Sequence, residues 1–260
     1  MALGVPFVKR PPAESGERWV RETRLGTWFL ETDIWLRYVL AVAVADLERL
    51  LGPRSGPFPA ILDVGCGHGK ALPILEAKFG PRVLVGVDVD PALIARAGRE
   101  AVRCRCRVEL KVGSATRLDA ADGSFDMVFC HQTVHHLADP ERGIRDLHRV
   151  LKPGGVLLLS ESCRPFTLSW PVRLLFRHPA EAQRSAEGYL GLLRAAGFAF
   201  GREDVSLPYP WWSRPDLGLR EWLGRPVPAD RQETVLNVVA SREPDSRPGG
   251  GLPCTEGSRP

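Results

Sequence analysis

Residues 61–70 read ILDVGCGHGK. Glycines stand at 65, 67 and 69 behind an apolar run, and an acid, Asp63, lies two residues before the first. Glycine admits turn conformations closed to other residues and lets a ligand approach the backbone where a Cβ would block it. A glycine turn between a strand and a helix is a place to hold a nucleotide-like molecule at the carboxyl edge of a sheet. The spacing separates the kinds of turn. A P-loop reads GxxxxGK[ST]; Gly69-Lys70 supplies the GK, but position 64 is Val and position 71 is Ala. A dinucleotide fingerprint counted from Gly65 needs glycine at 70, which is Lys70. What remains is GxGxG after an acid. A second acid, Asp88, closes the next apolar run.

The surrounding pattern supplies the elements that must position these residues. "AILDVG", "RVLVGVD", "VELKVG", "FDMVFC" and "GGVLLLSES" are strand-like, and helical stretches fall between them. "KALPILEAKFG" is one such helix. "PALIARAGREAVR" opens at Pro91 behind the cap residue Asp90, and "DPERGIRDLHRVL" carries Pro140 near its start. This βαβα alternation predicts an α/β fold, a mostly parallel sheet with helices on both faces. Ahead of it, Phe29, Trp35, Leu36, Val39, Leu40, Ala43, Leu47 and Leu50 recur at helical spacing over residues 27–51, ended by Gly52-Pro53. After it come a helix at "SAEGYLGLLRAAG", a short strand in "FAFGREDV", an irregular aromatic insertion at about 206–229, and a last strand "TVLNVVASR". The organisation expected is a tail and lid helix over 1–54, one domain over 55–242, and a disordered tail over 243–260.

Composition narrows the function classes. A formal charge of +4 with no Lys/Arg-rich block reads as a solvated basic surface rather than a nucleic-acid footprint. The cysteines at 66, 104, 106, 130, 163 and 254 form no CxxC pair and complete no zinc spacing with histidine. They read as free thiols of a reducing compartment. The N-terminus lacks a sustained apolar stretch, and no run is long enough for a membrane span. The expectation is a cytoplasmic protein without a transmembrane segment or metal site.

Taken in order, "LDVGCGHGK", "VGVDVD" and "FDMVFCHQTVHHLADPERGIRDLHRVLKPGGVLLLSE" resemble the motifs of class I S-adenosylmethionine-dependent methyltransferases. The nearest flavour is the type 11 group that includes ubiquinone/menaquinone-type enzymes. The resemblance is strong over about residues 55–165. It implies a Rossmann-like, seven-stranded, mostly parallel sheet, with S-adenosylmethionine as cofactor and S-adenosylhomocysteine as product.

By this resemblance Gly65, Cys66, Gly67 and Gly69 wrap the methionine part of the cofactor, Cys66 serving only as a small residue of the turn. Asp63 serves the ammonium, directly or through water. Asp88 accepts from both ribose hydroxyls, as a two-oxygen acceptor can, and Val89 packs on the adenine. Where the family often has Gly-Asp-Ala, this chain has Gly113, Ser114 and Ala115. The usual carboxylate partner of the adenine amino group is therefore absent, leaving Ser114 or the backbone of Ala115 to replace it. Cys130 and His131 end the fourth strand, where cofactor and acceptor meet. His131 can contact the cofactor, face the acceptor, or serve as the base if the nucleophile has a proton to lose. His135 and His136 read as loop-shaping residues and Lys70 as lying outside the cofactor; Glu161, at the end of the fifth strand, points towards the acceptor region or stands as a solvated strand end.

Aromatic residues mark the acceptor side: Trp28, Phe29, Trp35 and Tyr38; Phe166, Trp170 and Phe176; Tyr209, Trp211, Trp212 and Trp222. They predict a lid over an apolar pocket for a small, hydrophobic or aromatic acceptor. Nucleic acid is disfavoured, since "CHQT" stands where amino-directed base methylation has [DN]PP[YF]. A membrane-surface role for residues 27–51 is disfavoured by Glu31, Asp33, Asp46 and Glu48. The competing reading is a cofactor-binding subunit or regulator without catalysis. A nicotinamide-dependent oxidoreductase is disfavoured by the GxGxG spacing. The acceptor atom and the oligomeric state are not legible.

Overall fold

Near-continuous apolar runs on the central parallel strands have to be covered from both sides, and the chain supplies helices for each face. The computed structural model describes residues 23–54, 56–177, 182–214, 216–228 and 231–244. The loose N-terminal segment and most of the disordered tail expected from the sequence lie outside these residues. The strands are β1 (Ala60–Val64), β2 (Val83–Asp88), β3 (Arg107–Val112), β4 (Phe125–His131), β5 (Leu151–Ser162), β6 (Phe198–Ala199), β7 (Val205–Ser206) and β8 (Val235–Arg242). The helices are α1 (Arg24–Glu31), α2 (Asp33–Trp35), α3 (Ala41–Leu51), α4 (Leu72–Phe79), α5 (Pro91–Ala101), α6 (Pro140–Val150), α7 (Arg164–Thr167), α8 (Trp170–Leu175), α9 (Ala186–Ala195) and α10 (Leu219–Trp222).

The sheet runs β3-β2-β1-β4-β5-β8-β6, with β7 also paired to β8. β1 to β5 are mutually parallel, and β8 is antiparallel to β5. β6 and β7 both pair antiparallel with β8, at Arg242/Ser241 and at Val238/Asn237. The strand expected in "FAFGREDV" is thus two short pieces along one edge, and the sheet has seven strand positions. Strand order reverses between β1 and β4, the switch point where α/β sheets open a crevice at their carboxyl ends.

Successive residues of each strand serve opposite faces. Leu62, Val85, Val128 and Leu157 pack with Ile144 and Leu147 of α6 and Leu193 of α9. Ile61, Leu84, Met127 and Leu158 pack with Val44 and Leu47 of α3 and Leu75 of α4. Among the described residues no helix is long and apolar enough to cross a membrane.

The N-terminal helix differs from its expected span. It begins at Arg24, capped by Thr23, whose hydroxyl oxygen accepts from Gly26 N–H at 2.9 Å. Thr32 then breaks it: its hydroxyl donates back to the Phe29 carbonyl at 2.7 Å and its oxygen caps α2 by accepting from Trp35 N–H. Such local bonds compete with the helical ladder. A π-helical turn, Leu36–Leu40, leads into α3. The break divides the apolar stripe. Leu40, Leu47 and Leu50 are buried against the sheet, whereas Phe29, Trp35 and Val39 face a cavity.

Candidate active site

The turn after β1 is closed by two bonds to β2, from the Gly65 and Cys66 N–H groups to the Val87 carbonyl at 2.8 and 3.1 Å. All three of its glycines have positive φ, 73°, 52° and 76°. They are glycine for different reasons. A Cβ on Gly65 would lie 2.0 Å from Thr133 Oγ1, and one on Gly69 would lie 2.9 Å from the Ala97 Cβ of α5. A Cβ on Gly67 would meet nothing; it would project into space left open beside the cavity that Gly67 lines. Gly65 and Gly69 draw protein segments together, and Gly67 keeps room.

Asp88 ties this turn to the end of β2. Its Oδ2 accepts from Gly67 N–H and its Oδ1 from Asp90 N–H, each at 2.9 Å. Burial raises its pKa, and the backbone N–H bonds counteract that. Each carboxylate oxygen keeps a further lone pair for a donor. Asp90 caps α5 as expected, accepting from Ala92 N–H at 2.8 Å. Asp63 is 2% exposed, and its Oδ2 is buried without a hydrogen-bond partner. Burial, and then the charge of Asp88, pushes its pKa up to about 8. A buried carboxyl with an unused acceptor beside a cavity calls for a cationic or hydrogen-donating ligand. An ammonium group meets that need, so these residues fit the cofactor's amino-acid end, with Asp88 fitting its ribose.

One cavity of about 1220 Å³ joins this region to the lid. Asp63, Gly65, Cys66, Gly67, Asp88, Val89, Ser114, Ala115 and His131 line it. Gly69 and Cys130 do not appear along its wall. Gly69 serves the packing on α5, and Cys130 is buried in the core at 1% exposure, its thiol pKa raised well above normal by burial. Ser114 turns its hydroxyl to Thr116, Oγ to Oγ1 at 2.9 Å. Lys70 forms an ion pair with Glu100 at 2.8 Å, which draws its charge away from the turn.

His131 stands at the join of the two halves. Its ring stacks on Phe129 with centroids 6.1 Å apart and meets the Trp35 ring edge-on at 5.6 Å. Its Nε2 is buried without a partner. Burial, with a contribution from His135, lowers its pKa to about 3. Glu161 overturns its reading as a solvated strand end, being 0% exposed. Its Oε1 accepts from Thr133 N–H and Val134 N–H at 2.8 and 2.7 Å, and its Oε2 lies 2.6 Å from His135 Nδ1. This carboxylate holds the loop after β4 in place, the loop-shaping role expected of His135.

Several residues went unnoticed in the sequence. Thr133 fills the space Gly65 leaves and donates to the Val64 and His131 carbonyls at 3.2 and 3.1 Å. Gln132 holds a left-handed φ of 54°, a strained backbone of the sort found at functional sites. It lines the cavity and accepts from Ser162 Oγ. His68, in the glycine turn, lies 3.0 Å from Glu31 of α1, and Glu31 also pairs with Arg96 of α5. Only the charge complementarity of Glu31, His68 and Arg96 hinted at this, and their separation along the chain hid it.

Residues 62–159 match the family described as "Methyltransferase domain". Over that stretch, less than half of its length, the chain is similar to methyltransferase domains. S-adenosylmethionine is the cofactor of similar proteins of this fold. Among curated relatives, phosphoethanolamine N-methyltransferase 3 of Arabidopsis thaliana is 32% identical over 143 residues, 55% of this chain and 29% of that protein. The ubiquinone biosynthesis O-methyltransferase of Xanthomonas oryzae is 40% identical over 101 residues, 38% of this chain and 41% of that protein. This chain therefore spans well under two thirds of such relatives. A solved S-adenosylmethionine-dependent methyltransferase of Mesorhizobium loti superposes with a TM-score of 0.56 at 22% identity, over 77% of this chain and 98% of its own. The [4+2]-cyclase SpnF superposes at 0.59 and 23%, over 78% and 80%. These likenesses show the fold; what the chain does with it is argued from its site.

Proposed function

We propose that this chain transfers a methyl group from S-adenosylmethionine to a small acceptor with an apolar or aromatic body. The observation that carries the reading is the buried, unpartnered Oδ2 of Asp63 beside the glycine turn, on a cavity that aromatic residues also line. The cofactor, when bound, supplies an electrophilic methyl group on a sulfonium. Asp63 and Asp88 hold its ammonium and ribose ends, Gly67 leaves it room, and Val89, Ser114 and Ala115 lie where an adenine would be flanked.

For the acceptor, Phe29, Trp35, Phe166, Phe176 and Trp212 surround the remaining space. Alignment of acceptor and methyl group is the main work of such a site. His131, neutral at physiological pH, is a weak base. Its role is to hydrogen-bond and orient the acceptor, so no rate limb from its ionisation is expected above pH 5. A limb near pH 6 that disappears in His131→Gln would contradict this. Within this reading the acceptor is drawn in by apolar area and oriented by His131, Gln132 and Ser162.

The deciding experiment is thermal melting with S-adenosylmethionine, S-adenosylhomocysteine and NAD(H) in parallel. A ligand that binds only the folded state raises stability by about 2.7 kcal/mol at a hundredfold excess over its dissociation constant. Shifts with the first two alone support the reading, and conversion to S-adenosylhomocysteine with candidate acceptors completes it. A shift without turnover across apolar, aromatic and amino acceptors favours a binding subunit. A shift with NAD(H) alone overturns both.

A further inference from the structure

The mouth of the cavity is wrapped by large apolar side chains that also face solvent. Trp28, Ile34, Tyr38, Trp211 and Leu217 all line the cavity, yet are between 47% and 60% exposed. α8 continues this lip. Val172, Leu175 and Phe176 turn inward and line the cavity, while Trp170 and Leu174, four residues apart and on one helical face, are 71% and 70% exposed. The two elements are joined: the Phe29 ring meets that of Phe176 at 6.3 Å, and Thr23 donates its hydroxyl proton to the Leu175 carbonyl.

Charge accompanies the apolar lip. From Ser162 to Ala180 there is no acidic residue, and Arg164, Arg173 and Arg177 all fall in this stretch. Arg164 and Arg173 are exposed, Arg173 on α8 between Trp170 and Leu174 in the chain. Across the three lid segments, residues 23–40, 162–177 and 207–225, eight arginines face four acidic residues. Two of the four are already engaged, Glu31 by Arg96 and His68, and Glu221 by Arg214, itself one of the eight arginines. Of the acids that weighed against anionic lipid over residues 27–51, Asp46 and Glu48 lie in α3, outside the lip, Glu31 is paired with Arg96, and the exposed Asp33 of α2 is accompanied by the exposed Arg37.

Exposed apolar surface of this extent marks an interaction site. Tryptophan and tyrosine favour the boundary between water and hydrocarbon, arginine reaches past apolar surface to lipid phosphate, and an anionic leaflet attracts a cationic face. We propose that the lip formed by α1, α2, α8 and the Trp211 turn docks this protein peripherally on an anionic bilayer, with the cavity mouth turned to the lipid. An acceptor drawn through such a mouth need not cross water. That consequence rests on the methyl-transfer reading, whereas the docking does not.

The test is co-sedimentation of the full chain with vesicles of phosphatidylglycerol and phosphatidylcholine, and with vesicles of phosphatidylcholine alone. Binding is expected to the first, weak or no binding to the second, with partial release by salt. Trp170→Glu with Leu174→Glu should weaken binding by roughly tenfold or more, while the melting shift with S-adenosylmethionine is retained. Trp170→Ala, which adds no charge, should weaken it in the same direction. Val102→Glu, at an 83% exposed apolar residue ending α5 and outside the lid, should leave it unchanged. Absence of binding to anionic vesicles overturns the proposal. So does binding undiminished in both Trp170 variants, or a dimer in light scattering that the same variants dissolve while vesicles have no effect.

Discussion

The two halves of the cavity are built from different materials. The half beneath β1 and β2 is backbone and carboxylate: a glycine turn bonded to Val87, Asp88 held by two N–H groups, and Asp63 2% exposed. The half beneath the lid is aromatic side chains on short helical pieces, tied by few polar bonds, such as Trp212 Nε1–H to the Tyr38 carbonyl at 3.0 Å. A ligand whose shape never varies can be met by rigid backbone. A site that selects an acceptor by apolar area relies on side chains, which can be exchanged without disturbing the sheet.

That contrast predicts unequal tolerance. Gly65→Ala carries the largest expected effect, because its Cβ would strike Thr133 Oγ1 and its φ of 73° disfavours any side chain. Left-handed strain and overpacking together should destabilise the fold by about 2–5 kcal/mol. The melting shift with S-adenosylmethionine should vanish. A denaturant midpoint near that of the unaltered protein would mean the turn is looser than its geometry implies, and the contrast would fail.

Asp63→Asn should separate stability from binding. The folded-state pKa of Asp63, about 8, lies above its ordinary value of 3.8. Between those values the folded state holds a proton that the unfolded state has released. Its contribution therefore falls as pH rises from about 4 to about 8, and stays lost above that. Asparagine cannot ionise, so the variant should match or exceed the parent in stability at pH 8 and above. Its affinity for S-adenosylmethionine should be lower by tenfold or more, roughly the loss of one charge-assisted hydrogen bond. Melting curves at pH 5 and 9 with titrations of the cofactor check both signs. A variant weaker in both stability and affinity at pH 9 would show that Asp63 is paired in the apo protein.

These two positions also show why the cofactor half was legible. Gly65, Gly67, Asp63 and Asp88 stand on local geometry, a turn and two strand ends, and local geometry leaves a fixed spacing in the sequence; Gly69 shares the spacing but serves packing on α5. The parallel sheet was legible for the same reason, since short apolar runs between helical stretches and Pro91 or Pro140 at a helix start are local signals. Glu161 was misread because its burial depends on Thr133, Val134 and His135 arriving in the loop after β4. The break at Thr32 was missed because threonine is tolerated in a helix, and only its two side-chain bonds decide otherwise. The split of the strand near Phe198 follows from which residues of β8 remain free to pair.

On the lid side the changes should be milder and confined to the acceptor. Trp212→Ala removes an edge-on contact with Phe166 at 5.4 Å and the bond to Tyr38. An aromatic pair is worth about 0.5–1.5 kcal/mol beyond its buried area, so KM for the acceptor should rise by roughly threefold to tenfold. The melting shift with S-adenosylmethionine should stay as it was. Loss of that shift would mean the two halves are one cooperative unit.

The smallest expected effect tests the bridge between the halves. Glu31 reaches from α1 to His68 in the glycine turn and to Arg96 on α5. Burial lowers the His68 pKa, so this histidine is neutral near pH 7 and the charged partner of Glu31 is Arg96. With Glu31 41% exposed, the pair is a surface one, worth no more than about 1 kcal/mol. Glu31→Gln should therefore speed cofactor release by about fivefold at most, and the difference should shrink at high salt. Glu48→Gln, which breaks a comparable pair with Lys78, is the control and should leave release unchanged. Stopped-flow release of S-adenosylhomocysteine reads the difference. If Glu31→Gln and Glu48→Gln behave alike, α1 closes over the acceptor only, and the cofactor half owes it nothing. If only Glu31→Gln accelerates release, the lid reports on the cofactor through a single carboxylate, and the two halves are coupled at that point despite their different construction.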